Sequence, residues 1–321
     1  MMDSTFSWIL LFDASLRLAT PLMFAALAGF VSERAGVMDI GLEGKMLLGA
    51  FAAATIASVT GSAWYGALAA IVITGSFSLL HAFACITHKG DHVVSGLAIN
   101  LLAVAITALL AQRIFVQGGM TPILSDEQRL PTIEFPNIIA HDDSLLSQIY
   151  WHLLSGHNIL VYLAFIAVFL TIYLMKYSTW GIVVLAAGDN PTALKRAGFS
   201  VSKIRYMAVV VGGCICGLSG AFLSIGHGAG FVENMTVGKG FIALAALIFG
   251  RWHPIGVMLS CLFFGFLEAL SIRLQESRFS DVDSVIPIQL LEITPYVLTL
   301  CVLAGVIGKS VAPATLGKPM R

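Results

Sequence analysis

Apolar residues in this chain come in long unbroken runs, not in the alternating or three-and-four patterns that half-bury a strand or a surface helix. The runs lie near 14–32, 43–60, 64–87, 93–115, 157–176, 206–226, 238–250, 254–272 and 286–308. Most are close to the length of about 20 helical residues that crosses a bilayer core. They predict an all-α, polytopic membrane fold of about nine transmembrane helices, eight to ten if two places are read differently. The run 238–250 is short and can be a broken or re-entrant helix. The second and third runs are barely separated around Ser62 and Ala63. No compositional break divides the chain, so residues 1–321 read as one transmembrane domain.

The polar positions between runs orient it. The loop 116–156 carries Asp126, Glu127, Glu134, Asp142 and Asp143 against Arg129 alone. The loop 177–204 carries Lys195, Arg196 and Lys203, flanked by Lys176 and Arg205, against Asp189. The tail carries Lys309, Lys318 and Arg321 and no acid. Basic loops stay cytoplasmic, so 116–156 belongs outside, and 177–204 and the C-terminus inside. Nine crossings satisfy all three placements with the N-terminus outside. The start, Met1–Phe6, lacks the basic region of a cleavable signal peptide, so the first span is expected to insert the chain. Pro122, Pro131 and Pro136 make the outer loop an irregular cap, either a solvated connector or a docking surface for an extracytoplasmic partner.

Composition agrees with the pattern. The chain is 58% hydrophobic and 11% charged, against about 25% charged in soluble domains. Its mean hydropathy is +0.89. A net charge of +0 argues against a nucleic-acid partner. The five cysteines all fall in apolar runs; Cys214 and Cys216 point to different sides of a helix and read as packing residues. Gly213-Cys-Ile-Cys-Gly217, continued by Ala221, is a small-residue face for close helix packing, and Gly226–Gly230 ends that helix. Gly308-Lys309-Ser310 resembles the end of a phosphate-binding loop, but Leu303 stands where its first glycine belongs. A metal site at His81, His88 and His92 is less expected than a solvated turn around residues 87–91. No catalytic constellation appears, so the chain is not expected to be an enzyme.

One polar stretch stands apart. In residues 188–198, Gly188 breaks the preceding span, Asp189 or Asn190 caps a helix, and Pro191 suits its first turn. Lys195 and Arg196 fall in the last turn, where cations favour the helix dipole, and Gly198 stops it. The product is a short amphipathic helix at the inner surface. Ala193, Leu194 and Ala197 can enter a groove on a partner; the alternative is a helix resting on lipid headgroups.

Polar groups inside the runs either join helices or line a path. Gln289, Glu292 and Tyr296 share one face of the last run, loosened by Pro295. Glu268 lies at similar depth, Asn100 lies inside the fourth run, and Glu43 starts the second. Phe241 or Trp252 can stack on a ring, and Arg17 can snorkel or pair with an acid. A weak internal echo links Gly41-Leu-Glu-Gly44 to Gly238-Lys-Gly240, each followed by an apolar run and a tryptophan, Trp64 or Trp252.

The block Glu33-Arg-Ala-Gly-Val-Met-Asp-Ile-Gly-Leu-Glu-Gly-Lys-Met-Leu-Leu-Gly-Ala50 resembles the signature of permease subunits in ABC importers of the simple-sugar, nucleoside and branched-chain amino-acid superfamily. Ala187–Gly198 resembles that family's coupling loop, and Gly240–Gly250, Ala304–Gly308 and Ala314–Lys318 also match. The likeness spans nearly the whole chain and is nearest the nucleoside or simple-sugar branch. Lys45, where an apolar residue is expected, and Arg251-Trp-His253 depart from it. The resemblance implies a bacterial inner-membrane importer with no cofactor in this chain. ATP and Mg would be bound by a separate ATP-binding subunit, which meets residues 188–198. Further partners would be a second related permease, identical or not, and an extracytoplasmic substrate-binding lipoprotein. A branched-chain amino-acid permease is the alternative within the family; such a site needs charges for both the amino and carboxylate groups. An ion-coupled secondary carrier or a non-transporting scaffold are the alternatives outside it.

Overall fold

A computed structural model describes residues 2–115, 118–136, 145–279 and 312–318. The helices are α1 (Met2–Arg34), α2 (Leu42–Thr60), α3 (Ala63–Ala82, extended by a wide turn Phe83–Thr87) and α4 (His92–Ile114). Then come α5 (Leu145–Ile149), α6 (Ile159–Tyr177), α7 (Thr179–Asp189), α8 (Pro191–Arg196) and α9 (Val201–Ala221, extended by a wide turn Phe222–His227). Last are α10 (Lys239–Phe249) and α11 (Pro254–Phe279). Two-residue strands β1 (Thr132–Ile133) and β2 (His157–Asn158) pair antiparallel.

Among the described residues seven helices are long and apolar enough to cross a membrane: Trp8–Arg34, α2, Ala63–Thr87, α4, α6, Val201–His227 and Pro254–Leu274. The run 238–250 is instead an 11-residue helix behind an irregular lead, the broken form that its length allowed. The run 286–308, with Gln289, Glu292 and Tyr296, lies outside the described residues, so the described helices fall short of nine.

The bundle is built around α1, α2 and α9. Buried positions make up 78% of the apolar stretches of α1 and α2 and 72% of that of α9, against 22% for α4 and 33% for α6. The outer helices therefore leave most of their apolar surface uncovered by this chain. Small residues set the close approach in the centre, where packing replaces the hydrophobic drive that lipid removes. A Cβ on Gly220 of α9 would sit 2.3 Å from the Met46 carbonyl of α2, and one on Gly217 2.7 Å from the Ala70 carbonyl of α3.

Polar residues fasten one end. Lys45 is fully buried and its Nζ donates to Asp39 Oδ2 at 2.6 Å. The departure at Lys45 is thus an internal ion pair that pins the α1–α2 connection. His81 shares a hydrogen bond with the Met38 carbonyl (3.0 Å) and another with Ser95 Oγ (3.0 Å), and the Met38 amide donates to His92 Nδ1 (3.1 Å). His81 and His92 are buried, so the expected solvated turn holds only for exposed His88, whose ring packs on Phe83. Arg17 pairs with Asp13 one turn away.

At the opposite end of α9, the segment 118–136 lies across the wide turn and the chain that follows it. Thr121, Leu124 and Leu130 donate backbone N–H groups to the carbonyls of Phe231, Ala229 and Ile225. The described part of the loop is thus an ordered cap bonded to the bundle.

Candidate functional site

Two regions gather the polar groups that the spans cannot ignore. The first is the broken segment 228–249. After His227 the chain runs without helix to Gly238, with positive φ at Gly230, Asn234, Val237 and Gly238. Non-helical backbone at membrane depth is tolerated only inside protein or along a wet cavity. Phe231 anchors this segment, buried against Phe51 of α2 with ring centroids 5.1 Å apart. Glu43 holds its far end: Oε1 accepts from the Gly238 amide (2.8 Å) and Oε2 from the Gly240 amide (2.6 Å). A carboxylate here satisfies otherwise orphaned N–H groups and the positive end of α10. Gly240 has no room for a side chain, since a Cβ would lie 2.5 Å from the Glu43 backbone. The segments Gly41–Gly44 and Gly238–Gly240 thus meet, each at the start of a helix.

Asn100 has a similar task. Its Oδ1 accepts from the Gly44 amide (2.8 Å) and its Nδ2 donates to the Ile40 carbonyl (3.1 Å), tying α4 to the start of α2. Glu43 and Asn100 were expected along a substrate path; the structure commits both to backbone groups. Trp252 is likewise unfree. It is buried, its Nε1 donates to Glu33 Oε2 at 2.6 Å, and its carbonyl accepts from Arg34 Nε at 3.2 Å.

What remains open lies on the other side of α10. Phe241 is 46% exposed and Val237 73%. Lys239 and Glu268 form a largely buried ion pair between α10 and α11. The exposed His227 ring lies within electrostatic reach of Arg17, Lys239, Arg129 and Glu268, and the His227 carbonyl accepts from Arg129 Nη2 at 3.4 Å. The wide turn of α9, the start of α10, α11 and α1 thus bring charged groups within reach of one another. Of the expected path residues, Glu268 belongs to this region, while Phe241, two positions from Lys239, is exposed on a different side of α10. Lys239, His227 and Arg129 join it unforeseen; Lys239 stood beside the recognised glycines, but nothing local marks the other two.

The second region is the stretch 188–198. Asn190, not Asp189, caps α8: its Oδ1 accepts from the Ala193 amide at 3.0 Å, and Pro191 occupies the first turn. Lys195 and Arg196 end the helix, and Gly198 follows at φ +87°. α7 runs through Gly188 to Asp189, so the expected break falls at Asn190 instead. Gly188 has a packing role: a Cβ there would lie 2.1 Å from the Arg34 carbonyl. Leu194 is buried against the chain's own bundle, which removes it from the expected partner-facing set; Ala193 and Ala197 are exposed. The tail closes over this region. Thr315 donates its amide (3.0 Å) and its hydroxyl (2.6 Å) to the Gly188 carbonyl, Arg205 Nη2 donates to Thr315 Oγ1 (3.0 Å), and the Gly317 amide donates to the Gly36 carbonyl (3.3 Å).

Among the described residues, seven long apolar helices and a broken eighth segment define a multi-pass membrane protein. The sequence matches, over residues 11–305, the family described as branched-chain amino acid transport system / permease component, and the chain belongs to that family of ABC transporter permeases. It is 35% identical to the guanosine ABC transporter permease NupQ of Bacillus subtilis over 95% of this chain and 94% of that one. It is 34% identical to the nucleoside ABC transporter permease NupC of Lactococcus lactis over 93% and 92% of the two chains. A second permease of that organism, NupB, also named as a nucleoside ABC transporter permease, is 23% identical over 77% and 68%. No solved structure matches the chain.

Proposed function

We propose that this chain forms part of the translocation path of an ATP-driven importer of nucleosides or related simple sugars. A separate ATP-binding subunit, holding ATP and Mg, drives it through α8. The substrate class rests on the relatives named for guanosine and nucleosides, which align over more than nine tenths of the chain. The exposed Phe241 ring offers a stacking face for a base or sugar, and the Lys239–Glu268 pair offers charged hydrogen-bond partners for hydroxyls.

One observation carries the coupling role. α8 is capped at both ends, and its neighbour Gly188 is bonded to the tail and packed on the end of α1. A push on α8 therefore reaches α1, α7, α9 and the tail together, as a bistable bundle requires. The same organism's NupC and NupB support a pair of related permeases, which makes a second permease the expected partner. An extracytoplasmic binding lipoprotein delivering to the outer side, and a cytoplasmic C-terminus, complete the reading.

The deciding experiment reconstitutes the permease pair with its ATP-binding subunit and binding protein in vesicles. ATP-dependent guanosine or ribose uptake is expected, lost when Pro191 or Gly198 is substituted while insertion is retained. Unchanged uptake in those variants overturns the role of α8. The Lys239–Glu268 pair favours one second reading, a branched-chain amino-acid permease, because a zwitterion could take up both charges. Leucine displacing nucleosides from the binding protein would favour it.

A further inference from the structure

Beside α8, the α3–α4 connection, the start of α9 and the tail enclose an open groove of about 1020 Å³. Lys89, Lys195, Arg205 and Lys318 line it, and among the described residues no Asp or Glu does. Arg205 is only 2% exposed. Its Nη2 donates to the Ala187 carbonyl (3.1 Å) and to Thr315 Oγ1 (3.0 Å), its Nε has no partner, and among the described residues no carboxylate pairs with it. The tail from 309 to 321 contains no acidic residue. The nearby acids are engaged: Asp91 accepts from the Val93 and Val94 amides at the start of α4, and Asp189 lies within electrostatic reach of Arg34.

A buried cation without a counter-charge is costly, and a carboxylate reaching the free Nε of Arg205 would offset that cost. We propose that the groove seats an acidic segment of the ATP-binding subunit, one carboxylate of which completes Arg205 while others meet Lys89, Lys195 and Lys318. This rests on the coupling role of α8 and adds the chemistry of the contact. α8 itself forms one wall, so whatever meets α8 covers the groove. Its volume exceeds what a single phosphate fills, and Phe199, 50% exposed, gives it an apolar lip of the kind that protein interfaces bury. Bidentate pairing with a guanidinium fixes register as well as affinity, which suits an element that must transmit a displacement.

The test uses the whole permease in nanodiscs of zwitterionic lipid, with the purified cognate ATP-binding subunit as the probe, and follows association against salt. Wild-type association is expected to be fast and steeply salt-dependent. Lys89→Glu with Lys318→Glu, both exposed positions, is expected to slow association about tenfold at low salt and to flatten the salt dependence. Lys203→Glu, exposed but outside the groove lining, is expected to leave the rate unchanged. Lys replacing the partnering acid on the ATP-binding subunit should restore the double variant. Equal association of wild type and double variant at every salt overturns the groove while leaving α8 as the contact. Association that appears only when phosphatidylglycerol is added assigns the groove to a lipid headgroup and overturns the proposal. Wild type that binds no ATP-binding subunit in any lipid overturns the coupling role as well.

Discussion

Glu43 shows how one side chain supports a break in a membrane helix. Its two oxygens serve two amides of the α10 start, and neither is spare. Glu43→Ala strands both amides, and the expected loss is about 1–3 kcal/mol for each group left unsatisfied. Thermal unfolding in detergent checks it, with Glu43→Gln falling between, because one carbonyl oxygen remains to accept. The Asp39–Lys45 pair gives a pH signature. Burial opposes the Asp39 charge, but Lys45 and His81 outweigh it and hold the carboxyl below the ordinary value of about 3.9. A depressed carboxyl stabilises the fold above its unfolded value, and the stabilisation disappears as pH falls through the lower folded value. Wild type should therefore lose melting temperature below about pH 4, while Asp39→Asn, already weaker, should show a flatter profile there. Lys45→Ala leaves an unpaired buried acid and should cost about 3–5 kcal/mol, and Asp39→Leu with Lys45→Met should regain much of it.

At the level of elements, α8 was readable because its signals are local. Asn190, Pro191, Lys195 and Gly198 stand within nine positions, each with a known place in a helix. Gly198→Ala should strain a left-handed position by about 1–2 kcal/mol and lower ATP-driven uptake more than insertion, measured in vesicles against surface labelling. α10 was readable only as short: the carboxylate that starts it is 195 residues away, and periodicity carries no information across that distance. The echo of glycines read as a hint of two related halves and carried no sign that the two segments meet. The same limit explains the errors. His81 and His92 looked like surface residues because they flank a polar turn, yet their partner is the backbone of Met38. Leu194 looked like a partner-facing residue because α8 alone is amphipathic, but the apolar side of a two-turn helix finds its own bundle first.

For the whole molecule, the run lengths pointed to the class, since no soluble core accommodates them, and the outer helices α4 and α6 are largely uncovered by this chain. The charged cluster around His227 was not legible, because α1, the end of α9, α10 and α11 contribute to it from distant parts of the chain. A powered importer and an ion-coupled carrier differ at this scale. Uptake in vesicles should persist when ionophores collapse proton and sodium gradients and cease without the ATP-binding subunit; the reverse result would favour the carrier. Thr315 and Gly317 carry a practical warning. Because residues 312–318 are laced to Gly188 and Gly36, an affinity tag fused behind Arg321 would crowd the surface where the motor is proposed to seat. A preparation that hydrolyses ATP yet fails to transport should be re-examined with the tag moved to the other terminus before any residue is blamed.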